Sequence, residues 1–184
     1  MRIVAGQLKG RRLDGPTWDG LRPTSDALRE TLFNVLGPTL AGARVLDVFA
    51  GTGAVGIEAL SRGAASATFI ENDPRAVKLL ERNLAHVGVA NACTIVRDDF
   101  MKPRPRRAPH DTRYDLVFLD PPYDIPGLDA AVVAAAAMTT VGGRVIVEHS
   151  RRRVLPDAVT GATRYRVLEA GDSALSFYTA VEGA

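Results

Sequence analysis

The sequence has 184 residues, of which 46% are hydrophobic and 24% are charged, a composition typical of a globular protein with one main domain. No apolar stretch approaches the roughly 20 residues of a membrane-spanning helix, and the lone Cys93 excludes an internal disulfide. The amino terminus has no apolar core of secretory length, so we expect no membrane role and a reducing, cytoplasmic setting.

The formal net charge of +2 hides an uneven distribution. Three segments carry the excess of Lys and Arg, namely residues 1–29, 102–113 and 151–153, and the rest of the chain is acidic. Basic patches on an acidic body are typical of a protein that binds phosphates. The alternative is that these segments are ordinary solvated loops.

The first elements in the chain are a hairpin and a helix. Residues 2–13 predict a short β-hairpin, with Gly6 and Gly10 permitting the turn. A turn-rich stretch follows. Ser25 is a candidate N-cap for a helix with leucines on one face, and Gly37 with the proline after it ends that helix.

From residue 44 onward, strand and helix patterns alternate, which predicts a parallel sheet with helices on both faces. The predicted strands are residues 44–49, 67–71, 93–97, 115–119 and 144–148, and the predicted helices are residues 54–62, 74–87 and 128–140. Residues 163–168 and 174–181 predict a closing antiparallel hairpin with residues 169–173 as its turn.

A glycine motif follows the first of these strands. In VLDVFAGTGAVG, Gly51, Gly53 and Gly56 satisfy the G-x-G-x-x-G spacing, in which backbone approaches a ligand at a helix amino terminus. The spacing fits a dinucleotide or another nucleoside cofactor equally well. A tight strand-to-helix turn without a ligand remains an alternative.

Carboxylates end the first three strands. Glu71 ends the second strand, where it can accept hydrogen bonds from both ribose hydroxyls, and Asp98 or Asp99 ends the third, where one can accept from an adenine amino group while Phe100 packs on the ring. Asp47 lies near the end of the first strand. Each acid alone is more often a surface or capping residue, but their repeated placement indicates a site.

The fourth strand runs into an acid, two prolines and a tyrosine, in DLVFLDPPYD. Open α/β sheets bind ligands beyond the carboxyl ends of their strands, where the strand order reverses. With the order 3-2-1-4-5, Asp120 to Tyr123 lie beside the glycine motif. The Asp120 carboxylate and the Pro121 carbonyl can then each accept one N–H of a ring amine, with Tyr123 stacked on the base.

The acids favour S-adenosylmethionine over a nicotinamide dinucleotide, because Asp47 would repel a pyrophosphate and tolerate an amino group. The three histidines are scattered and share no ligand spacing with Cys93, so no metal site is predicted.

Four stretches together resemble the RsmD-like family of bacterial 16S ribosomal RNA guanine-N2 methyltransferases. They are MRIVAGQLKGRRL, LRPTSDALRETLFNVL, DVFAGTGAVGIEALSRGA and FLDPPY, and the likeness runs through residues 1–124. The resemblance implies a Rossmann-like methyltransferase fold, α/β, with a seven-stranded, mostly parallel sheet in the order 3-2-1-4-5-7-6. It divides the chain into a hairpin extension, residues 1–20, that contacts RNA, and a methyltransferase domain, residues 21–184.

The resemblance also implies roles for individual residues. The catalytic candidates are Asp120, Pro121, Pro122 and Tyr123. The candidates for binding S-adenosylmethionine are Asp47, Gly51, Thr52, Gly53, Glu71, Asn72, Asp98, Asp99 and Phe100. The candidates for binding RNA are Arg2, Lys9, Arg11, Arg12, Arg22 and Thr24. The implied partner is 16S rRNA in an assembled or partly assembled small subunit, methylated by a monomer.

Two other functions remain open at this point. DPPY is shared with enzymes that methylate amines of other substrates, so a DNA or tRNA amino-methyltransferase is possible, although the chain has no sizeable target-recognition domain. A non-catalytic RNA-binding assembly factor with the same fold is the alternative outside enzymes.

Overall fold

The computed structural model describes residues 1–18, 26–102 and 113–182 of the chain. Its centre is an eight-stranded sheet with the order β3-β2-β1-β4-β5-β8-β7-β6. The strands are β1 (Arg44–Val48), β2 (Ser66–Glu71), β3 (Cys93–Arg97), β4 (Tyr114–Leu119), β5 (Thr139–Ser150), β6 (Ala158–Val159), β7 (Ala162–Ala170) and β8 (Ser173–Ala180). The helices are α1 (Asp26–Leu36), α2 (Ala54–Ser61), α3 (Pro74–Val87) and α4 (Leu128–Ala137).

The first five strands are parallel, and β8, β7 and β6 continue the sheet with antiparallel pairing. The predicted fold class and strand order are confirmed, with one strand more than predicted. The additional strand is Ala158–Val159, which pairs with the start of β7. Two residues are too short to show an alternating pattern in a sequence.

Side chains of the central strands alternate between two apolar layers, as the two-residue period of a strand requires. Leu46 and Val48 of β1 pack toward α4 in one layer, whereas Val45 packs with α1 and α2 in the other. A third cluster joins α2, α3 and the amino-terminal segment, and it includes Ile3 and Leu13. These layers bury the strands on both sides and leave their ends for function.

Two element boundaries differ from the prediction. Helix α4 ends at Ala137 rather than near residue 140, and β5 begins at Thr139 rather than at 144. Thr139, Thr140 and Val141 are β-branched and favour a strand. The turn of the closing hairpin is also shorter than predicted, because Gly171 adopts a φ of +63° and two residues close it.

Residues 1–13 turn back on themselves as predicted, with one antiparallel bridge between Arg2 and Arg12. The segment is anchored by α2, because the buried carboxylate of Glu58 accepts the backbone N–H groups of Val4 and Ala5 at 2.7 and 2.9 Å. Ile3 is 1% exposed. The segment is therefore built into the core, and the predicted domain boundary at residue 20 lies outside the described residues.

Candidate active site

The parallel register brings four strand ends to one edge of the sheet. Val48 of β1 pairs with Ile70 of β2 and Leu119 of β4, and Leu119 pairs with Val147 of β5. The residues that follow these positions therefore lie side by side. They are the glycine loop (residues 49–53), Glu71, Asp120 and Glu148.

Hydrogen bonds hold the glycine loop and the first turn of α2. The Gly51 N–H donates to Glu71 Oε2 at 2.8 Å, and the Gly56 N–H donates to Asp47 Oδ2 at 2.9 Å. The side-chain amide of Asn83, in α3, donates to the carbonyl of Thr52 at 3.0 Å. The loop is thus fixed before any ligand binds, which lowers the entropy cost of binding one.

Backbone strain is concentrated at the start of this loop. Phe49 has a φ of +62°, an uncommon region for a residue with a side chain. Its ring lies 6.2 Å from that of Phe100 at an interplanar angle of 75°, an edge-to-face contact. Such strain at a strand end beside a loop of this kind is typical of functional sites.

Two glycines of the motif are required by packing. A Cβ atom on Gly53, whose φ is +77°, would lie 2.3 Å from Leu80 Cδ1, and one on Gly56 would lie 2.4 Å from the ring of Phe69. Both neighbours are fully buried. The glycine spacing therefore brings α2 close to β2 and α3, which explains these two positions without a ligand.

Glu71 links the second strand end to the loop. Its Oε1 accepts the N–H groups of Asn72 and Asp73 at 2.8 Å each, in addition to the Gly51 bond at Oε2. A carboxylate has about four lone-pair sites, so one remains for a ligand hydroxyl. Asn72 is exposed at the same strand end.

The two acids at the end of the third strand, Asp98 and Asp99, have different hydrogen-bond partners. Asp99 is engaged with its own turn, since Oδ1 accepts the N–H of Met101 at 3.0 Å and Oδ2 lies 3.8 Å from Lys102 Nζ. Asp98 is half-buried and accepts the N–H of Asp99. Phe100 is 5% exposed within the core layer that contains α4. The predicted adenine contacts of these residues stay predictions.

Asp47 lies beneath the loop and is 2% exposed. Burial raises its pKa to about 8, the Gly56 hydrogen bond opposes that rise, and the charges of Asp120 and Glu71 add to it. Asp47 is therefore protonated at neutral pH and joins β1 to the start of α2. Its predicted contact with a cofactor amino group stays a prediction.

This burial makes stability depend on pH. Because the folded pKa of Asp47 lies above its ordinary value of 3.8, its contribution to stability is present below about pH 4 and is lost as pH rises toward 8. Asp47→Asn keeps an oxygen for Gly56 and cannot ionise, so its melting temperature should fall less than that of the wild type between pH 5 and 8. Thermal scans across this range test it, with exposed Asp124→Asn as the control; parallel curves for wild type and Asp47→Asn would contradict it.

The fourth strand end carries the Asp-Pro-Pro-Tyr segment. The Asp120 N–H donates to the carbonyl of Val48 at 3.3 Å, which ties this segment to the residue before Phe49. Pro121 is buried, Pro122 is exposed and Tyr123 is half-buried. The four catalytic candidates therefore lie directly beside the glycine loop, as the strand order predicts.

Asp120 lies between two other carboxyl groups. Its charge contributes to the raised pKa of Asp47 on one side and to that of Glu148 on the other, in each case after burial as the main cause. Glu148 has a pKa of about 8. Repulsion from the charges of Asp120 and Glu71 contributes to the raised pKa of Asp47, so a further negative charge at this edge is unfavourable.

Several known proteins are similar to this chain. A family model described as Conserved hypothetical protein 95 matches residues 1–179. The Ribosomal RNA small subunit methyltransferase D of Haemophilus influenzae is 34% identical over 184 residues, covering 92% of this chain and 93% of that one. The Escherichia coli protein of the same name is 47% identical over 123 residues, covering 67% of this chain and 60% of that one. The chain belongs to the RsmD-like family.

Solved structures of similar proteins have the same fold as this chain. The Escherichia coli yhhF structure superposes with a TM-score of 0.82 at 36% identity and covers 98% of both chains. An RNA methyltransferase from Salinibacter ruber, solved with S-adenosyl-L-homocysteine, has a TM-score of 0.66 at 18% identity. The RsmD-like chain thus has the Rossmann-like methyltransferase fold over almost its whole length.

The predicted RNA residues of this RsmD-like chain are placed unevenly. Arg2, Lys9 and Arg12 are exposed on the amino-terminal segment. Arg11 is also exposed, but one guanidinium nitrogen donates to the carbonyl of Val87 at 2.9 Å. Arg22 and Thr24 lie outside the described residues, as does most of the predicted basic segment 102–113.

The basic segment at residues 151–153 lies beside the catalytic candidates. A cavity of about 520 Å³ is lined by Tyr123, Ser150, Arg151, Arg152 and Asp172. This volume falls within the range of small-ligand sites, which is roughly 300–1,000 Å³. The structure therefore brings two exposed arginines and the half-buried tyrosine to one surface depression.

Four residues of this edge were missed by the sequence analysis, namely Phe49, Asn83, Glu148 and Ser173. Phe49 had a usable signal, since an aromatic residue stands between a strand and a glycine turn. Asn83 lies in the middle of an amphipathic helix, and Glu148 lies within a predicted strand. Nothing in the local sequence pattern marks either residue as part of a site.

In the part of the chain that the structure describes, no helix has the length and apolar character needed to span a membrane.

Proposed function

We propose that this chain is an S-adenosylmethionine-dependent methyltransferase that modifies the exocyclic N2 amine of a guanine in 16S rRNA of the small ribosomal subunit. The observation that carries the proposal is the position of Asp120 to Tyr123, directly beside a fixed glycine loop at the carboxyl edge of the sheet. Membership of the RsmD-like family supports it, because curated members are named small-subunit rRNA methyltransferases.

The chain's own residues fit such a cofactor. Glu71 keeps one lone-pair site for a ribose hydroxyl after its three backbone bonds. The charge of Glu71, which contributes to the raised pKa of Asp47, favours a cationic ligand over an anionic one. When bound, S-adenosylmethionine would supply a methyl group on a positively charged sulphonium. Asp98 or Asp99 would accept from the adenine amino group.

The Asp-Pro-Pro-Tyr segment would bind and orient the amine that receives the methyl group. The Asp120 carboxylate and the Pro121 carbonyl each accept one N–H, which aims the nitrogen lone pair and favours positive charge on that nitrogen. The two prolines fix φ and donate no hydrogen bond, so the carbonyl stays rigid. Tyr123 stacks on the base, and Asp120 would accept the released proton.

RNA would approach over two basic surfaces. One is the amino-terminal segment, where Arg2, Lys9 and Arg12 are exposed. The other is formed by Arg151 and Arg152, which line the cavity beside Tyr123. Because phosphates flank every target base, arginines next to the stacking ring can hold the target nucleotide itself, and the amino-terminal segment can hold RNA farther away.

The surface formed by Arg151 and Arg152 should contribute to the salt dependence of RNA binding. Removing two phosphate contacts with Arg151→Ala and Arg152→Ala should reduce the slope of log affinity against log salt by roughly 1 to 2. The matched control removes Arg44 and Arg166, two exposed arginines outside the three basic segments. Binding titrations with rRNA at several salt concentrations measure this slope for the wild type and for both double variants. Equal slopes for the wild type and the Arg151/Arg152 variant would remove this surface from the proposal.

The proposed function is tested by supplying S-adenosylmethionine with a labelled methyl group. The substrates are small subunits, naked 16S rRNA, tRNA and duplex DNA in parallel reactions. We expect incorporation with small subunits or 16S rRNA. Incorporation only into tRNA or DNA would favour another amino-methyltransferase, and cofactor-independent RNA binding without incorporation into any substrate would favour an assembly factor.

A further inference from the structure

A buried acid lies next to the catalytic candidates and has no role in the mechanism above. Glu148 is near the carboxyl end of β5 and is 5% exposed. Its Oε1 accepts a hydrogen bond from Ser173 Oγ at 3.2 Å. Its Oε2 is buried without a hydrogen-bond partner in the part of the chain that the structure describes. Buried polar atoms without partners are rare, because each costs free energy.

Ser173 connects this acid to Tyr123. The Tyr123 hydroxyl and Ser173 Oγ are 2.5 Å apart. A serine hydroxyl has one hydrogen to donate. Ser173 Oγ bonds to Glu148 Oε1 as well as to the Tyr123 hydroxyl. The three groups thus form a chain of hydrogen bonds from Tyr123 through Ser173 to Glu148.

The chain of hydrogen bonds is anchored by strand pairing. Ser173 begins β8 and pairs with Ser150 of β5, and two positions farther along the ladder Glu148 pairs with Leu175. Tyr123, in contrast, lies in the loop after β4, and its backbone is outside the sheet. The sheet therefore supplies the hydrogen-bond partner for a side chain that lies outside it.

We propose that Glu148 is a positioning residue for methyl transfer, which holds the Tyr123 ring in one orientation through Ser173. This inference rests on the proposed function, in which Tyr123 stacks on the target base. Fixing the ring in advance places the base, and small misplacements of a reacting group are costly in rate. The unpaired Oε2 of Glu148 costs free energy of folding, and proteins accept local costs of this kind at functional sites.

The test compares activity with stability in the full-length protein. Glu148→Leu, Ser173→Ala and Tyr123→Phe should each lower kcat roughly ten-fold while the affinity for S-adenosylmethionine stays unchanged. Glu148→Gln should retain most activity, because its amide oxygen still accepts from Ser173. Since leucine removes an unpaired buried oxygen, Glu148→Leu should be at least as stable as the wild type. A purely structural acid would show the reverse, with lower stability and unchanged kcat.

Ser173→Ala combined with Tyr123→Phe should be no slower than either single variant, because both break the same chain. The matched control is Ser176→Ala, a buried serine of the same strand that bonds to His149 instead. Additive losses, an equal loss in the control, or kcat of Glu148→Leu and Ser173→Ala within two-fold of wild type would overturn the inference.

A second readout separates this inference from the proposed function. The ring resonances of Tyr123, assigned with the Tyr123→Phe variant, should shift in Ser173→Ala and Glu148→Leu and stay in place in Ser176→Ala. This measurement needs no substrate. If the wild type methylates no RNA but the shifts occur, the proposed function fails and the positioning of Tyr123 stands; unchanged resonances would reject the positioning role whatever the substrate is.

Discussion

Asp120→Ala should lower methyl transfer by roughly 10²- to 10³-fold, the range for losing one group that stabilises developing charge. The affinity for S-adenosylmethionine should be nearly unchanged, because the residues proposed to bind it lie on the other strand ends. The expected loss is in kcat, since the carboxylate acts on the acceptor amine. Single-turnover rates and calorimetric cofactor titrations measure the two quantities separately.

The control for this prediction is Asp124→Ala, which removes an exposed carboxylate four residues farther along the same loop. It should leave kcat unchanged. If Asp120→Ala weakened cofactor binding as much as turnover, the division of the edge into a cofactor side and an acceptor side would be wrong. If both aspartate variants lost activity equally, a general change of charge would explain the effect.

Gly6→Ala should be among the most destabilising single substitutions in this chain. Gly6 has a φ of +82°, and a Cβ atom there would lie 1.9 Å from the backbone oxygen of Ser61 in α2. That oxygen accepts the N–H of Gln7 at 2.7 Å. The added methyl group would therefore push the amino-terminal segment off α2 and break its hydrogen bonds there.

Gly10→Ala is the matched control, because it lies in the same segment with a φ of +85°, and no residue that the structure describes lies within 4 Å of the added atom. Left-handed backbone alone costs about 1–2 kcal/mol, and we expect Gly6→Ala to cost at least twice as much. Thermal or denaturant unfolding measures both. Similar losses for the two variants would show that docking of residues 1–13 on α2 contributes little to stability.

The position of the proposed acceptor segment could be predicted from sequence because its parts are contiguous. Asp120, Pro121 and Tyr123 follow one apolar strand, and parallel strands place their carboxyl ends at one edge. The glycine loop was predictable for the same reason. Neither inference needed side-chain packing, because chain direction and strand order are enough to bring the two segments together.

The remaining features depend on packing that no local pattern reveals. Asp47 is predicted as a cofactor ligand beside the glycine loop, and in the structure its side chain is almost fully buried and accepts the Gly56 N–H of α2. Glu148 and Ser173 are 25 residues apart and meet only because β5 and β8 pair. Asn83 contacts the glycine loop from a helix whose sequence shows only an amphipathic period. Such contacts are set by register and helix rotation, which vary independently of each motif.

The most direct test of the proposed function is to identify the methylated nucleoside. Small subunits incubated with the protein and labelled S-adenosylmethionine would be stripped of protein, and their 16S rRNA would be digested to nucleosides and separated. We predict that the label is in N2-methylguanosine, that it is lost with Asp120→Ala and that it is retained with Asp124→Ala. Label in a methylated adenosine or in ribosomal protein, with none in N2-methylguanosine, would contradict the proposed function.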